Sequence, residues 1–255
     1  MEQGYYAEYR RIEDRHWWFR GRREILLRLL DRHFPPGDAS KRVLDIGCGT
    51  GAMLQQLSRY GTVDGVDTDP NAVRFCRERG VAGVRRLTSQ TLPWEPETFD
   101  LVTALDVIEH IDDDQAVLGE VQRVLRPGGT LLLTVPAYEV LWGPQDEISH
   151  HKRRYRAWQI RERLERAGLE PVKLSYFNSL LFPPIAAVRL LRPRRAGDRE
   201  LKSDFTLTRA GRLNEILTRI FAGEAALVER WNLPFGVSIV ALARKDANAA
   251  FALTA

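Results

Sequence analysis

The sequence has almost no cysteine. Cys48 and Cys76 are the only two among 255 residues, there is no CxxC pair, and no histidine cluster falls at metal-site spacing. Neither a disulfide framework nor a zinc site is suggested, and both thiols are expected to be free. Long apolar runs are also missing. The longest, Leu180 to Leu191, is broken by Pro183, Pro184 and Arg189 and is much shorter than the roughly 20 residues of a membrane-spanning helix. The opening MEQGYYAEYRRIEDR is charged throughout and lacks the apolar core of a signal peptide. A cytoplasmic protein is expected. No internal repeat is visible, and the tail DANAAFALTA is expected to fray.

What is present is enough for a full core: 44% of the residues are hydrophobic, and the length suggests one domain with an elaboration. The net charge of +4 is modest but uneven. Lys152, Arg153, Arg154, Arg156 and Arg161 follow Ser149 with no acid among them, and Lys173, Arg189, Arg192, Arg194 and Arg195 form a second acid-free stretch. Each reads equally as a solvated face or as a surface for an anionic substrate or acidic membrane.

Helix-like and strand-like patterns alternate along the chain. Strands are expected at 43–46, 63–67, 84–87, 99–105, 130–135, 172–177 and 237–244, with helices at 52–60, 70–79, 112–124 and 158–168. Such alternation implies a mostly parallel sheet with helices on both faces. Before the first strand, Tyr5, Tyr9, Ile12 and His16 share one helical face, and Ile25, Leu26, Leu29, Leu30 and His33 another. Between the last two strands lie about sixty residues, too many for an ordinary connection. They include a helix expected to bury Leu213, Ile216, Leu217 and Ile220. The organisation read from this is an N-terminal helical lid over 1–37, a core over 38–177 and 234–246, and a helical cap inserted at 178–233.

The run VLDIGCGTG, residues 43–51, fits a buried strand breaking into a glycine turn that starts a helix. Its spacing is G-x-G-x-G, whereas a dinucleotide fingerprint is G-x-G-x-x-G. An oxidoreductase reading fails there. Asp67 closes the second strand about 20 residues after Gly47, where an acid accepts ribose hydroxyls. Asp45 would repel phosphate and favour an ammonium group, or else satisfy backbone amides of the turn. A ribose plus an amino acid, without phosphate, describes S-adenosylmethionine.

Here VLDIGCGTG, VDGVDTDP, LPWEPETFDLVTALDVIEHIDD and VLRPGGTLLLTVP, in this order over residues 43–136, resemble the class I S-adenosylmethionine-dependent methyltransferases, in the broad subgroup acting on small molecules and lipids. The later DEISHHKRRYRAWQIRERLERAGLEPVKLSYFN resembles the corresponding region of enzymes that modify isoprenoid, glycan or secondary-metabolite substrates. The resemblance implies a Rossmann-like α/β fold: a seven-stranded, mostly parallel sheet with an antiparallel last strand, N-terminal helices and a helical cap. It implies that Gly47 and Gly49 pass the methionine portion, that Asp67 holds the ribose and that Thr68 flanks the adenine. Asp45, Cys48, Ser89, Gln90 and Asp106 complete the expected cofactor set. Where many relatives place an acid for the adenine amino group, this chain has Thr88, Ser89 and Gln90, so adenine recognition would rest on backbone or on Gln90. Gly51 is most simply a packing glycine, and Cys48 lacks an adjacent base for a nucleophilic role.

Methyl transfer from a sulfonium is an in-line displacement, and positioning supplies on the order of 7–11 kcal/mol of its barrier. A hydroxyl acceptor also needs a base, for which His110, His150 and His151 are candidates beyond the carboxyl ends of strands. Trp17, Trp18 and Phe19 cannot all face one side of a helix. Trp18 and Tyr155 are the expected acceptor contacts. The segment NSLLFPPIAAVRLLRPRR suits an isoprenoid or acyl chain, or peripheral contact with a membrane. The partner is thus a small-molecule or lipid-like acceptor, methylated on oxygen. A nucleic-acid enzyme is disfavoured, because LDVIE stands where base-amino enzymes carry D/N-P-P-Y/F. A non-catalytic protein retaining the cofactor-binding fold is the remaining alternative, and nothing in the sequence speaks to oligomeric state.

Overall fold

The computed structural model describes residues 5–89, 91–191 and 211–247. Two helices, α1 (Tyr5–Ile12) and α2 (Trp17–His33), precede β1 (Arg42–Ile46), α3 (Ala52–Leu57), β2 (Thr62–Asp67), α4 (Pro70–Glu78), β3 (Val84–Arg86) and β4 (Phe99–Leu105). There follow α5 (Asp114–Val124), β5 (Leu125–Pro136), α6 (Pro144–Ser149), α7 (Ala157–Arg166), β6 (Leu169–Phe177), α8 (Phe182–Leu191), α9 (Arg212–Gly223), α10 (Ala225–Arg230) and β7 (Ser238–Lys245). The sheet order is β3-β2-β1-β4-β5-β7-β6. Only β7 runs against the rest, pairing antiparallel with both β5 and β6. The expected sheet, with its antiparallel last strand, is the one found.

The strand pattern sends alternate residues to two cores. Leu44, Val102, Leu131 and Leu133 pack with Leu118 and Val121 of α5 and Ile160 and Leu164 of α7. On the other face Val43, Leu101, Leu132 and Val240 meet Ile25, Leu26, Leu29 and Leu30 of α2, Phe221 of α9 and Val228 of α10. Helix α2 therefore packs on the sheet as part of its second core. It approaches α9 so closely that a Cβ on Gly21 would lie 2.4 Å from Cδ1 of Phe221.

Several sequence readings change. β5 begins at Leu125, which pairs with Phe99 across a register shift, and so absorbs the RPGG stretch. Pro183 and Pro184 do not stop α8, because they occupy its first turn, where amides have no intrahelical acceptor. His16 is not on α1 but is the N-cap of α2. The buried side of α9 carries Asn214, Thr218 and Phe221, leaving Leu213, Ile216 and Ile220 exposed. Asn214 turns the helix, since its side chain accepts from Trp17 N at 2.8 Å and donates to Arg15 O at 3.0 Å. Among the described residues no helix is long and apolar enough to cross a membrane.

Candidate active site

The carboxyl ends of β1, β2 and β4 open into one cavity of about 800 Å³, closed above by α1 and the start of α2 and on one side by α8 and α9. At its floor the chain leaves β1 through Gly47 (φ +67°) and Gly49 (φ +55°), a region that disfavours any residue with a Cβ. Asp67 fixes this loop: its carboxylate accepts Gly49 N at 2.9 Å and Asp69 N at 2.9 Å, and takes the Tyr6 hydroxyl at 3.3 Å. Burial pushes its pKa up against those donors. Thr68 also faces the cavity.

The other expected cofactor residues lie differently. Asp45 sits behind the loop, accepting from Thr103 Oγ1 at 2.5 Å, and burial raises its pKa to about 7. Cys48 turns away to within 3.8 Å of the Cys76 sulfur, and burial with that contact pushes its pKa up. Ser89 is exposed, its hydroxyl on Thr91 O, and Gln90 lies outside the described residues. Asp106 does line the cavity, at φ +57°.

Asp106 has a partner that sequence reasoning missed. Arg22, from α2, places Nη2 at 2.8 Å from Asp106 Oδ2 and 2.7 Å from Thr134 Oγ1, with its guanidinium 5.0 Å from the Trp18 ring centre. Its Nε is buried with no acceptor, a costly state unless a ligand supplies one. RGRR offers several arginines, and only the packing phase of α2 selects this one. Trp17 meets Phe221 edge-on and Phe19 meets Tyr9, so the aromatic triplet both anchors α2 and roofs the cavity.

The far end is polar. The turn after β4 carries Glu109 and His110, and the left-handed C-cap His150 (φ +55°) turns the chain after α6 so that His151 comes back toward them. The loops are joined by Lys152 N donating to Glu109 O at 2.8 Å. His110 and His151 line the cavity with ring centres 4.7 Å apart, whereas His150 is exposed. Burial, then the His151 neighbour, lowers the His110 pKa to about 4, so its ring is neutral at physiological pH. His151 Nδ1 lies 2.8 Å from Asp146 Oδ1, and Arg154, 7% exposed, grips the same carboxylate at 2.8 and 2.9 Å. Burial pushes Asp146 upward, but the His151 hydrogen bond and the Arg154 charge outweigh it and bring its pKa to about 2.

Two further expectations are corrected here. Tyr155 is no acceptor contact: it is 1% exposed in the core with its hydroxyl on Asp114 Oδ2 at 2.8 Å. The first basic stretch is a largely neutralised surface, because Lys152 pairs with Asp112, Arg153 with Asp114, Arg154 with Asp146 and Arg161 with Glu165, while Arg156 is exposed. Arg192, Arg194 and Arg195 lie outside the described residues.

Residues 44–133 match a family model described as a methyltransferase domain. The chain is 27% identical over 181 residues to a ubiquinone biosynthesis O-methyltransferase of Idiomarina loihiensis, covering 63% of this chain and 73% of that protein. It is 36% identical over 105 residues to the protein of the same name from Pseudomonas aeruginosa, covering 38% of this chain and 45% of that one. The chain thus spans less than half the length of that relative. Phosphoethanolamine N-methyltransferase 2 of Haemonchus contortus, solved with S-adenosyl-L-methionine, shares the fold, with a TM-score of 0.56 and 22% identity, covering 87% of this chain and 52% of that one.

Proposed function

The chain belongs to the class I S-adenosylmethionine-dependent methyltransferases, and on that premise we propose that it methylates a hydroxyl oxygen of a small acceptor bearing an apolar tail. When bound, S-adenosylmethionine supplies an electrophilic methyl group on a sulfonium. Three features suit it: Asp67 for the ribose hydroxyls, the unpartnered Nε of Arg22 for the amino-acid carboxylate, and Gly49, where a Cβ would meet nothing within 4 Å.

The observation that carries the acceptor reading is the wall of the remaining cavity. Leu181, Pro184, Ile185, Val188 and Leu217 make an apolar approach that ends at His110 and His151. An acceptor hydroxyl docked against those imidazoles would lose its proton there, with His151 held in orientation by Asp146. Tyr9 and Trp18 exclude water from above. In this reading α1 with the aromatic triplet is the lid of the 1–37 segment, and α8 and α9 supply the 178–233 cap on the 38–177 and 234–246 core. The relatives named for ubiquinone biosynthesis match an acceptor with a ring hydroxyl and an isoprenoid tail. Leu190, Leu191, Leu213 and Ile216, each more than half exposed, favour a peripheral membrane contact from which such an acceptor is drawn.

The test is methyl transfer from labelled S-adenosylmethionine to hydroxylated aromatic acceptors of increasing tail length. Expected is a kcat/KM that rises with the tail, and a Val188→Asp variant that loses the gain for tailed acceptors alone. Equal turnover along the series, or label on nitrogen acceptors only, would overturn the reading.

A further inference from the structure

Among the described residues, Glu109 is a buried acid at the polar end of the cavity that no arginine or lysine pairs with. Asp106 is held by Arg22, and Asp146 by Arg154, with Arg189 Nη1 at 3.8 Å from it. Glu109 is 0% exposed, and neither of its carboxylate oxygens has a hydrogen-bond partner. A fully buried carboxyl without a donor is rare in a folded protein, because nothing repays its desolvation. What faces it is a pair of imidazoles. Glu109 Oε1 lies 3.9 Å from His151 Nε2, and one ligand atom from each of Glu109, His110 and His151 lies within 4.8 Å of the others.

We propose that Glu109, His110 and His151 form a binding site for a divalent transition-metal ion at the acceptor end of the cavity. Two imidazoles and one carboxylate are the donor set of open sites for Zn²⁺, Fe²⁺ or Co²⁺, leaving coordination positions for water or substrate. The outer contacts are those of a built site. His151 Nδ1 is on Asp146, which leaves Nε2 for the ion. A carboxylate partner of this kind fixes the ring orientation of a metal-bound histidine. Asp146 is in turn immobilised by Gly143 N at 2.7 Å and by both Arg154 contacts. Ligand bonds of about 2.0–2.2 Å require the three side chains to draw together.

The two cation-bearing neighbours, Arg22 and Arg154, are already neutralised by their own acids, so a divalent ion would find Glu109 available. Because His110 and His151 face the cavity, the open positions would face the acceptor. This role rests on the O-methylation reading and, when the ion is bound, replaces direct proton uptake by the two imidazoles: a hydroxyl bound to the ion would become more acidic, as metal-bound water does, and would release its proton to solvent. The site itself does not depend on that reading.

The experiment is titration of chelator-treated full-length protein with Co²⁺, followed by visible absorbance, and with Zn²⁺ by equilibrium dialysis. One ion per chain is expected, with affinity reduced at least about tenfold in Glu109→Gln and in His110→Gln, the lower scale even for outer contacts. His150→Asn, which keeps a residue tolerant of the left-handed backbone, should bind as wild type does. S-adenosylhomocysteine binding, measured on every variant by calorimetry, reports folding independently; His110→Gln, at a half-buried position, decides if Glu109→Gln does not fold. No stoichiometric ion in the wild type, or equal affinity in wild type and both ligand variants, would overturn the site. Ion binding without transfer to any hydroxyl acceptor would leave the site standing and count against O-methylation; transfer unaffected by rigorous chelation would count against the metal alone.

Discussion

Asp67 has two tasks with a single carboxylate. It holds the glycine loop through Gly49 N, next to the Tyr6 hydroxyl, and in the proposed function it also takes the ribose hydroxyls. Hydrogen bonds to a charged group contribute about 1.5–3 kcal/mol. Asp67→Asn is therefore expected to weaken S-adenosylhomocysteine binding by roughly 10- to 100-fold in calorimetry, while Cys48→Ser, facing Cys76 rather than the cavity, changes it little. Residues such as Gly47, Gly49 and Asp67 were legible in the sequence because their work is local: a turn needs positive φ, and a strand end needs an acid. Arg22, Tyr6 and the Glu109–His151 cluster were not, because their partners lie far away in the chain. His110 and His151 were separate candidate bases in the sequence, and the α6 C-cap is what brings them together.

At the level of elements, the N-terminus of α2 depends on an uncharged imidazole. His16 Nδ1 accepts from Trp18 N at 3.2 Å, which a protonated ring cannot do. Burial lowers its pKa from 6.5 to about 4, so the unfolded chain takes up a proton before the folded one does. Its contribution is whole above pH 6.5 and is lost as the pH falls from there through 4. Thermal melts across that range are expected to show a decline on the order of 1–3 kcal/mol, lessened in His16→Asn, which caps without titrating. Gly21 sets the α2–α9 contact, and Gly21→Ala is expected to cost about 1–3 kcal/mol in chemical denaturation through overpacking against Phe221. Apolar periodicity could not give the orientation of α9. It pointed to Leu213, Ile216 and Ile220, but a polar Asn214 bonded to α2 and one close helix crossing decided which side is buried.

For the whole molecule, the seven-stranded, mostly parallel sheet and its antiparallel last strand followed from the alternation and the family resemblance, whereas the integration of α2, α9 and α10 into one covering layer did not, since no local signal says which face a helix covers. The cavity lies between that layer and the strand ends, so ligand binding should tighten the molecule as one body. S-adenosylhomocysteine at about a hundredfold excess over Kd is expected to stabilise the protein by about 2.7 kcal/mol, with hydrogen exchange slowed in α1 as well as in the glycine loop. The position of β7 has a further consequence, for the order of events in synthesis. Thr130 pairs with Arg244 and Leu169 with Lys245, so β6 has no strand beside it until the final strand has been made. A nascent chain on the ribosome can assemble β1 to β5 and the glycine loop early, but it must hold β6 and the apolar α8 open until β7 emerges. Pairings of such long sequence separation form slowly, which makes the half of the cavity walled by α8 the late-maturing part.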